Sequence, residues 1–215
     1  MNKTYGLLMS GEMIRAYKDG LKGETRRTSG LDVVNKAPDE FKFIGFDQNK
    51  PHAIFEHRLG GTFSYRMPYG RAGEDTLWFK ETWKMYEREE DGRDFLHYRA
   101  DDEKVDPTWW TKEDWTRPDP IWHKKNVFEK WQSSMLMPKL CCRFTNIPIL
   151  DVKVERLQNI SEVDAWNEGC PRDVAQLPSE WYFDLWDKLN GDKLPAHVNP
   201  WVWVFRFPKY EGGKA

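Results

Sequence analysis

Residues 20–30, GLKGETRRTSG, gather Lys22, Thr25, Arg26 and Arg27 directly after a segment that reads as the end of a helix. A lysine among other cations, or partly out of water, releases its proton more easily and can act as a base toward a hydroxyl. Lys22 is therefore a candidate general base and Thr25 a candidate nucleophile. If the chain after Lys22 is extended, its side chains alternate, so Thr25 and Arg27 point the same way. Arg27 is then placed to hold an oxyanion or a phosphate. The plain alternative is a solvated basic turn whose cations sit at the negative end of a helix dipole. Glu168, in SEVDAWNEG, is a further acid–base candidate, with a solvated surface glutamate as its alternative. In LWFKETW, Lys80 and Glu81 interrupt an aromatic strand, where they either pair across a sheet or line a pocket. Lys139 and Arg143, in SSMLMPKLCCRF, suit contact with phosphate and equally a strand edge guarded by charge. Cys141 and Cys142 read as small buried residues, since no histidine lies at a recognisable offset.

The composition bounds what such groups can serve. The chain has 215 residues and a formal net charge of −2, which excludes a globally basic protein. Any nucleic-acid contact must come from a local patch. Mean hydropathy is low at −0.82, yet 15% of residues are aromatic, twelve of them tryptophan. A disordered chain is poor in rings, so a folded core built on large aromatics is expected. Three cysteines, two of them adjacent, make no disulfide framework and suit a reducing compartment. The five histidines show no zinc spacing, and neither a metal nor another cofactor is expected. Gly11 and Glu12 break the N-terminal apolar run, so no signal peptide or membrane span is expected and the cytoplasm is the default.

The elements that must position these groups follow from periodicity. Tyr5–Ser10 reads as a buried strand, with Ser10 capping a helix that carries Met13, Ile14 and Tyr17 and stops at Gly20. Phe41–Asp47 and His52–Arg58 read as a hairpin. DTLWFKETW reads as one long strand with Leu77, Phe79 and Glu81 on one face, and Leu140–Leu157 as one long or two consecutive strands broken near Pro148. SEVDAWNEG begins with a Ser-x-x-Asp cap and places Ile160, Val163 and Trp166 on one helical face. PSEWYFDLWDKLNG repeats Trp181, Leu185 and Leu189 every fourth residue. Asn199–Phe207 closes the chain as a strand. Residues 86–131, rich in charge, proline and tryptophan (Trp109, Trp110, Trp115, Trp122, Trp131), read as an insertion packed onto a single domain covering 1–215. The sum is an α+β chain with a small, partly closed β-barrel.

Together, LLMSGEMIRAYKDGLKGETRR, GEDTLWFKETW, MPKLCCRFTNIPILDVKVERLQNISEVDAWNEG and NPWVWVFRF resemble the ASCH domain of the PUA-like superfamily, in its larger bacteriophage and prophage form. The resemblance implies a PUA-like barrel of mixed and antiparallel strands with flanking helices around a cleft. Its first and last strands, near Leu7–Met9 and Trp201–Phe205, are expected in one central sheet. It implies binding of RNA or modified nucleobases. A smaller bacterial branch is an amidohydrolase that removes the acetyl group of acetylcytidine with a lysine, a threonine and a glutamate. Its Lys-x-x-Thr-x-Arg stretch matches Lys22, Thr25 and Arg27, and its Thr-Glu-x-x-Ala-x-x-Glu helix matches Ser161, Glu162, Ala165 and Glu168. The resemblance thus implies Lys22, Thr25 and Glu168 as catalytic and Arg27 as a substrate clamp, and the residue types add Arg26, Lys80, Glu81 and Arg143 as candidates for contact with a modified nucleoside or short single-stranded RNA. The segment 86–131 and the helix near 179–190 depart from that branch. Two alternatives stand beside hydrolysis: a non-catalytic RNA or modified-base binding module, and an accessory protein that acts on a protein partner through the tryptophan-rich insertion.

Overall fold

The computed structural model describes residues 2–87, 94–105 and 130–212. In chain order its regular elements are β1 (Thr4–Leu8), α1 (Gly11–Lys18), β2 (Glu24–Arg27), β3 (Phe41–Phe46), β4 (His52–His57), β5 (Thr62–Arg66), β6 (Thr76–Lys80) and β7 (Trp83–Glu87). They continue as β8 (Asp94–Tyr98), β9 (Lys104–Val105), β10 (Ile147–Pro148), β11 (Asp151–Arg156), α2 (Glu162–Asn167), α3 (Pro178–Asn190) and β12 (Trp201–Arg206). The class is α+β, with strands in three-stranded sheets ordered β1-β6-β10, β11-β12-β2, β3-β4-β5 and β7-β8-β9. No closed barrel forms among the described residues.

β1 and β12 therefore lie in different sheets, against expectation. Both edges of β12 are taken, antiparallel by β11 on one side and by β2 on the other, which leaves none for β1. Val202, Trp203, Val204 and Phe205 are all wholly buried.

The chain divides into two compact units, one built from the start of the chain to Tyr5, Ala16–Thr76 and the residues from Ile147 onward, the other from Gly6–Arg15 and Leu77–Asn146. In the first, Leu157, Ile160, Ala165, Tyr182, Trp186, Ala196, Val202 and Val204 make an apolar cluster under α2 and α3. In the second, Trp83, Met85, Leu96, Tyr98, Met137, Cys141 and Cys142 pack together. Of the five tryptophans in the expected insertion, Trp109, Trp110, Trp115 and Trp122 lie outside the described residues. Trp131 is described, with its ring 4.7 Å from His97 and 4.8 Å from the Lys84 Nζ. No helix of the described residues is long and apolar enough to cross a membrane.

Ser10 Oγ accepts from Met13 N and caps α1, and Gly20 takes up φ +68° just beyond it. The hairpin of β3 and β4 forms as expected, with β5 added outside it. The expected long strand DTLWFKETW is split into β6 and β7, although Leu77, Phe79 and Glu81 do share a buried face. Leu140–Leu157 breaks after Pro148 into β10 and β11, as the two-strand reading has it, while its start is not extended: Lys139–Cys141 is a 3-10 turn.

Both later helices bury a different stripe from the one expected. α2 is capped by Ser161 Oγ, which accepts from Asp164 N at 3.1 Å. Its inward residues are Asp164 and Ala165, while Val163 is 67% exposed. α3 buries Pro178, Tyr182 and Trp186, one position beyond the Trp181, Leu185 and Leu189 stripe; Leu189 is 47% exposed. Trp186 Nε1 donates to Leu194 O at 2.7 Å, and the need to seat that indole turns the helix.

Candidate functional site

The stretch around Lys22 is not a solvated turn. Lys22, Glu24 and Thr25 have no exposed surface at all, and Arg26 is 1% exposed. The backbone explains this burial. Lys22 N donates to Ala16 O, Gly23 N to Asn167 O, and Phe207 N to Gly23 O, so the entry to β2 is wedged between the end of α2 and the end of β12. Register then pairs Glu24 with Arg206, Thr25 with Phe205, Arg26 with Val204 and Arg27 with Trp203. Lys22 also forms an antiparallel bridge with Glu168. The two backbones approach closely because residue 169 is glycine. At Gly169 (φ +104°) a Cβ would stand 2.8 Å from Ala16 Cβ and 3.4 Å from Lys22 Cβ.

Alternation along β2 sends Glu24 and Arg26 to one face and Thr25 to the other. On the first face a charged network is closed. Lys22 Nζ donates to Glu168 Oε2 and to the Glu168 carbonyl, both at 2.8 Å. The carbonyl belongs to the C-terminal cap of α2, a position that favours a cation. Arg26 Nη1 donates to Glu168 Oε1 at 3.0 Å, and its Nη2 and Nε to Glu155 Oε1 at 2.7 and 3.1 Å. Glu24 Oε1 lies 2.8 Å from Arg26 Nη1 without hydrogen-bond alignment, an ion contact only. Arg206 donates to Glu24 Oε2 at 2.5 Å and to Asp164 Oδ1 at 2.6 Å. The guanidinium of Arg26 lies 5.6 Å from the Tyr182 ring centroid.

Burial dominates the proton affinities. It lowers the Lys22 pKa; Arg27 and Arg26 add to this, and Glu168 opposes it. Burial raises the Glu24 carboxyl, against the pull of Arg26 and Arg206. It raises Tyr182 well above the ordinary phenol, with Glu168 adding to the effect. For Asp164 burial is outweighed by the Ser161 hydrogen bond and the charges of Lys153, Arg26 and Arg206, so its pKa is lowered. A lysine with a weakened hold on its proton beside a carboxylate is suited to proton transfer.

Of the expected site residues, Lys22, Arg26 and Glu168 are thus brought together. Arg26, a candidate for ligand contact, is hydrogen-bonded to the Glu168 and Glu155 carboxylates and in ion contact with Glu24 inside the protein. Thr25 Oγ1 is buried and has no hydrogen-bond partner, so no Lys22–Thr25 bond is made. Arg27 is half-buried, and its Nη1 donates to Arg26 O at 3.0 Å. Lys80, Glu81 and Arg143 belong to the second unit, where Glu81 and Arg143 satisfy each other. Arg143 grips Glu81 with two hydrogen bonds of 2.8 and 2.7 Å, and also bonds Asp101 and Glu103. Lys80 Nζ reaches Met135 O and the Trp78 ring. The alternatives stated for Lys80 and Glu81 resolve toward pairing for Glu81. The thiols are buried, and burial raises Cys141 to about 12 and Cys170 to about 11, which leaves neither as a nucleophile.

Glu24, Glu155, Asp164, Arg206 and Tyr182 are site residues that the sequence reading missed. One signal was present: Lys22-x-Glu24-x-Arg26 repeats charge with the period of a strand, which marks one polar face. No group of His, Cys, Asp and Glu arranged to hold a metal occurs among the described residues. The chain matches no family model, no curated protein and no solved structure.

Proposed function

We propose that the Lys22–Glu168 pair, with Thr25 three residues along the chain on the opposite face of β2, is the reacting centre of an amidohydrolase that removes an acyl group from the exocyclic amine of a modified cytidine. The observation that carries this is the meeting at 2.8 Å, out of water, of two acid–base side chains 146 positions apart, with a buried threonine hydroxyl left unbonded close by in sequence. An unbonded buried hydroxyl is costly unless something uses it. The step requires β2 to bring Thr25 Oγ1 round from its opposite face: Lys22 gives its proton to Glu168, the hydroxyl attacks the acyl carbon while Lys22 takes the hydroxyl proton, and Arg27 steadies the oxyanion. Glu168 passes the proton to the departing amine, and water then releases the acid from the threonine ester. The reading carries with it the ASCH and PUA-like assignment, supported at the level of the α+β class.

The test uses the isosteric variant Thr25→Val. Because Oγ1 makes no bond, valine should leave the thermal midpoint unchanged or raise it, yet abolish release of free cytidine from acetylcytidine read by mass spectrometry. Turnover that survives the substitution overturns the mechanism.

The complete burial of Lys22 favours a second reading, in which the network is an internal clamp and the protein is a non-catalytic RNA or modified-base binding module. That reading expects no turnover and an affinity for short single-stranded RNA that falls with salt.

A further inference from the structure

α3 brings to the charged network a residue with no part in the reaction just described. Tyr182 is almost wholly buried, and its six-membered ring lies 5.6 Å from the Arg26 guanidinium. Arg26 is itself fixed by Glu168 and Glu155. A planar ring beside a guanidinium held next to an acid–base pair is the arrangement in which arginine receives a nucleobase. The helix that carries the ring is tied down at its start, where Ser179 N donates to Glu162 Oε2 at 3.1 Å, and farther along by the Trp186 bond to Leu194 O. Lys22, Arg26 and Glu168 have almost no exposed surface with the ring in place.

Resting on the reading of the site as a nucleoside centre, we propose that Tyr182 occupies the place over Arg26 that a pyrimidine base takes in the productive complex, so that binding requires α3 to withdraw this ring. The protein then carries its own competitor. Its apparent affinity for a nucleoside is lowered by the fraction of molecules in which the ring is seated. Tyr182 is accordingly a specificity-determining residue, because only a ligand whose stacking outweighs that of the phenol displaces it.

Calorimetric titration of the full chain with acetylcytidine tests this. Tyr182→Ala should bind about tenfold more tightly than the parent chain, whereas Tyr182→Phe, which keeps the ring, should not. p-Cresol should compete with acetylcytidine for Tyr182→Ala. If the alanine variant fails to fold, Tyr182→Leu removes the planar ring at similar volume and carries the same expectation. Equal affinities for the parent chain and the ring-deleted variant, or an equal gain in Tyr182→Phe, overturn the proposal. Tighter binding with no hydrolysis by any variant supports it and removes the hydrolase reading. Hydrolysis by the parent chain with no gain on ring removal does the reverse.

Discussion

Lys22 illustrates how far a side chain's role depends on what surrounds it. As a solvated turn residue its loss would hardly touch stability. Buried and bonded twice to Glu168, its truncation strips Glu168 Oε2 of its partner in a medium that cannot solvate it and leaves Arg26 at Oε1. Lys22→Ala should lower the unfolding free energy by about 3 kcal/mol, measured by urea denaturation. The double variant Lys22→Met with Glu168→Leu should cost less than either single truncation, because it leaves no orphaned charge. Thr25→Val, by contrast, should be silent in the same measurement. The sequence made Lys22 and Thr25 legible through residue type and spacing. Glu168 was legible as an acid–base candidate, but its pairing with Lys22 only through the family resemblance, since no local pattern reports a partner 146 positions away. Glu155 and Arg206 were illegible for the same reason: their places in the network are set by strand pairing.

At the scale of elements, the hairpin, the capped helices and the closing strand were readable because caps and alternation are local signals. The inward faces of α2 and α3 were not. A helical stripe is chosen by what lies opposite, and the seating of Tyr182 and Trp186 overrode the more regular repeat of Trp181, Leu185 and Leu189. Trp186→Ala should therefore cost about 3 kcal/mol or more, while Leu189→Ala should change the same urea midpoint only slightly. The turn after α2 makes a sharper demand. Gly169→Ala combines a left-handed backbone with a Cβ pressed on Ala16, and should cost about 2 kcal/mol, visible as a lowered thermal midpoint. In the second unit, burial raises the Glu81 carboxyl above its ordinary value despite Arg143. A raised pKa means that the folded state holds the proton more tightly. The stability it contributes is present below the ordinary glutamate value and is lost as pH rises through the raised one. The stability of the parent chain relative to Glu81→Gln should therefore fall with rising pH across that window and level off above it, as urea titrations at a series of pH values would record.

At the scale of the whole molecule, the α+β class was legible from composition and periodicity, but the division into two units was not, because each unit is assembled from segments far apart in the chain. Arg143 and Glu81 were grouped with the site on residue type and lie in the other unit. Arg143→Met should leave hydrolysis of acetylcytidine within about twofold of the parent, and a larger loss would show that the second unit takes part in the chemistry. The charged network has a consequence for the order in which the protein is made. Lys22, Glu24 and Arg26 emerge early, yet the first side chain to hydrogen-bond the Arg26 guanidinium follows 129 positions later, at Glu155, and that for the Glu24 carboxylate 182 positions later, at Arg206. Closing such long loops has an entropic cost that is met only when β12 has slotted between β11 and β2. A ribosome-bound chain that stops short of Trp201 already carries Glu155 and Glu168 but lacks Arg206 and the strand that lies between β11 and β2. The centre comes into being in a single late event, once the nascent chain is free to draw its last strand back onto one of its first.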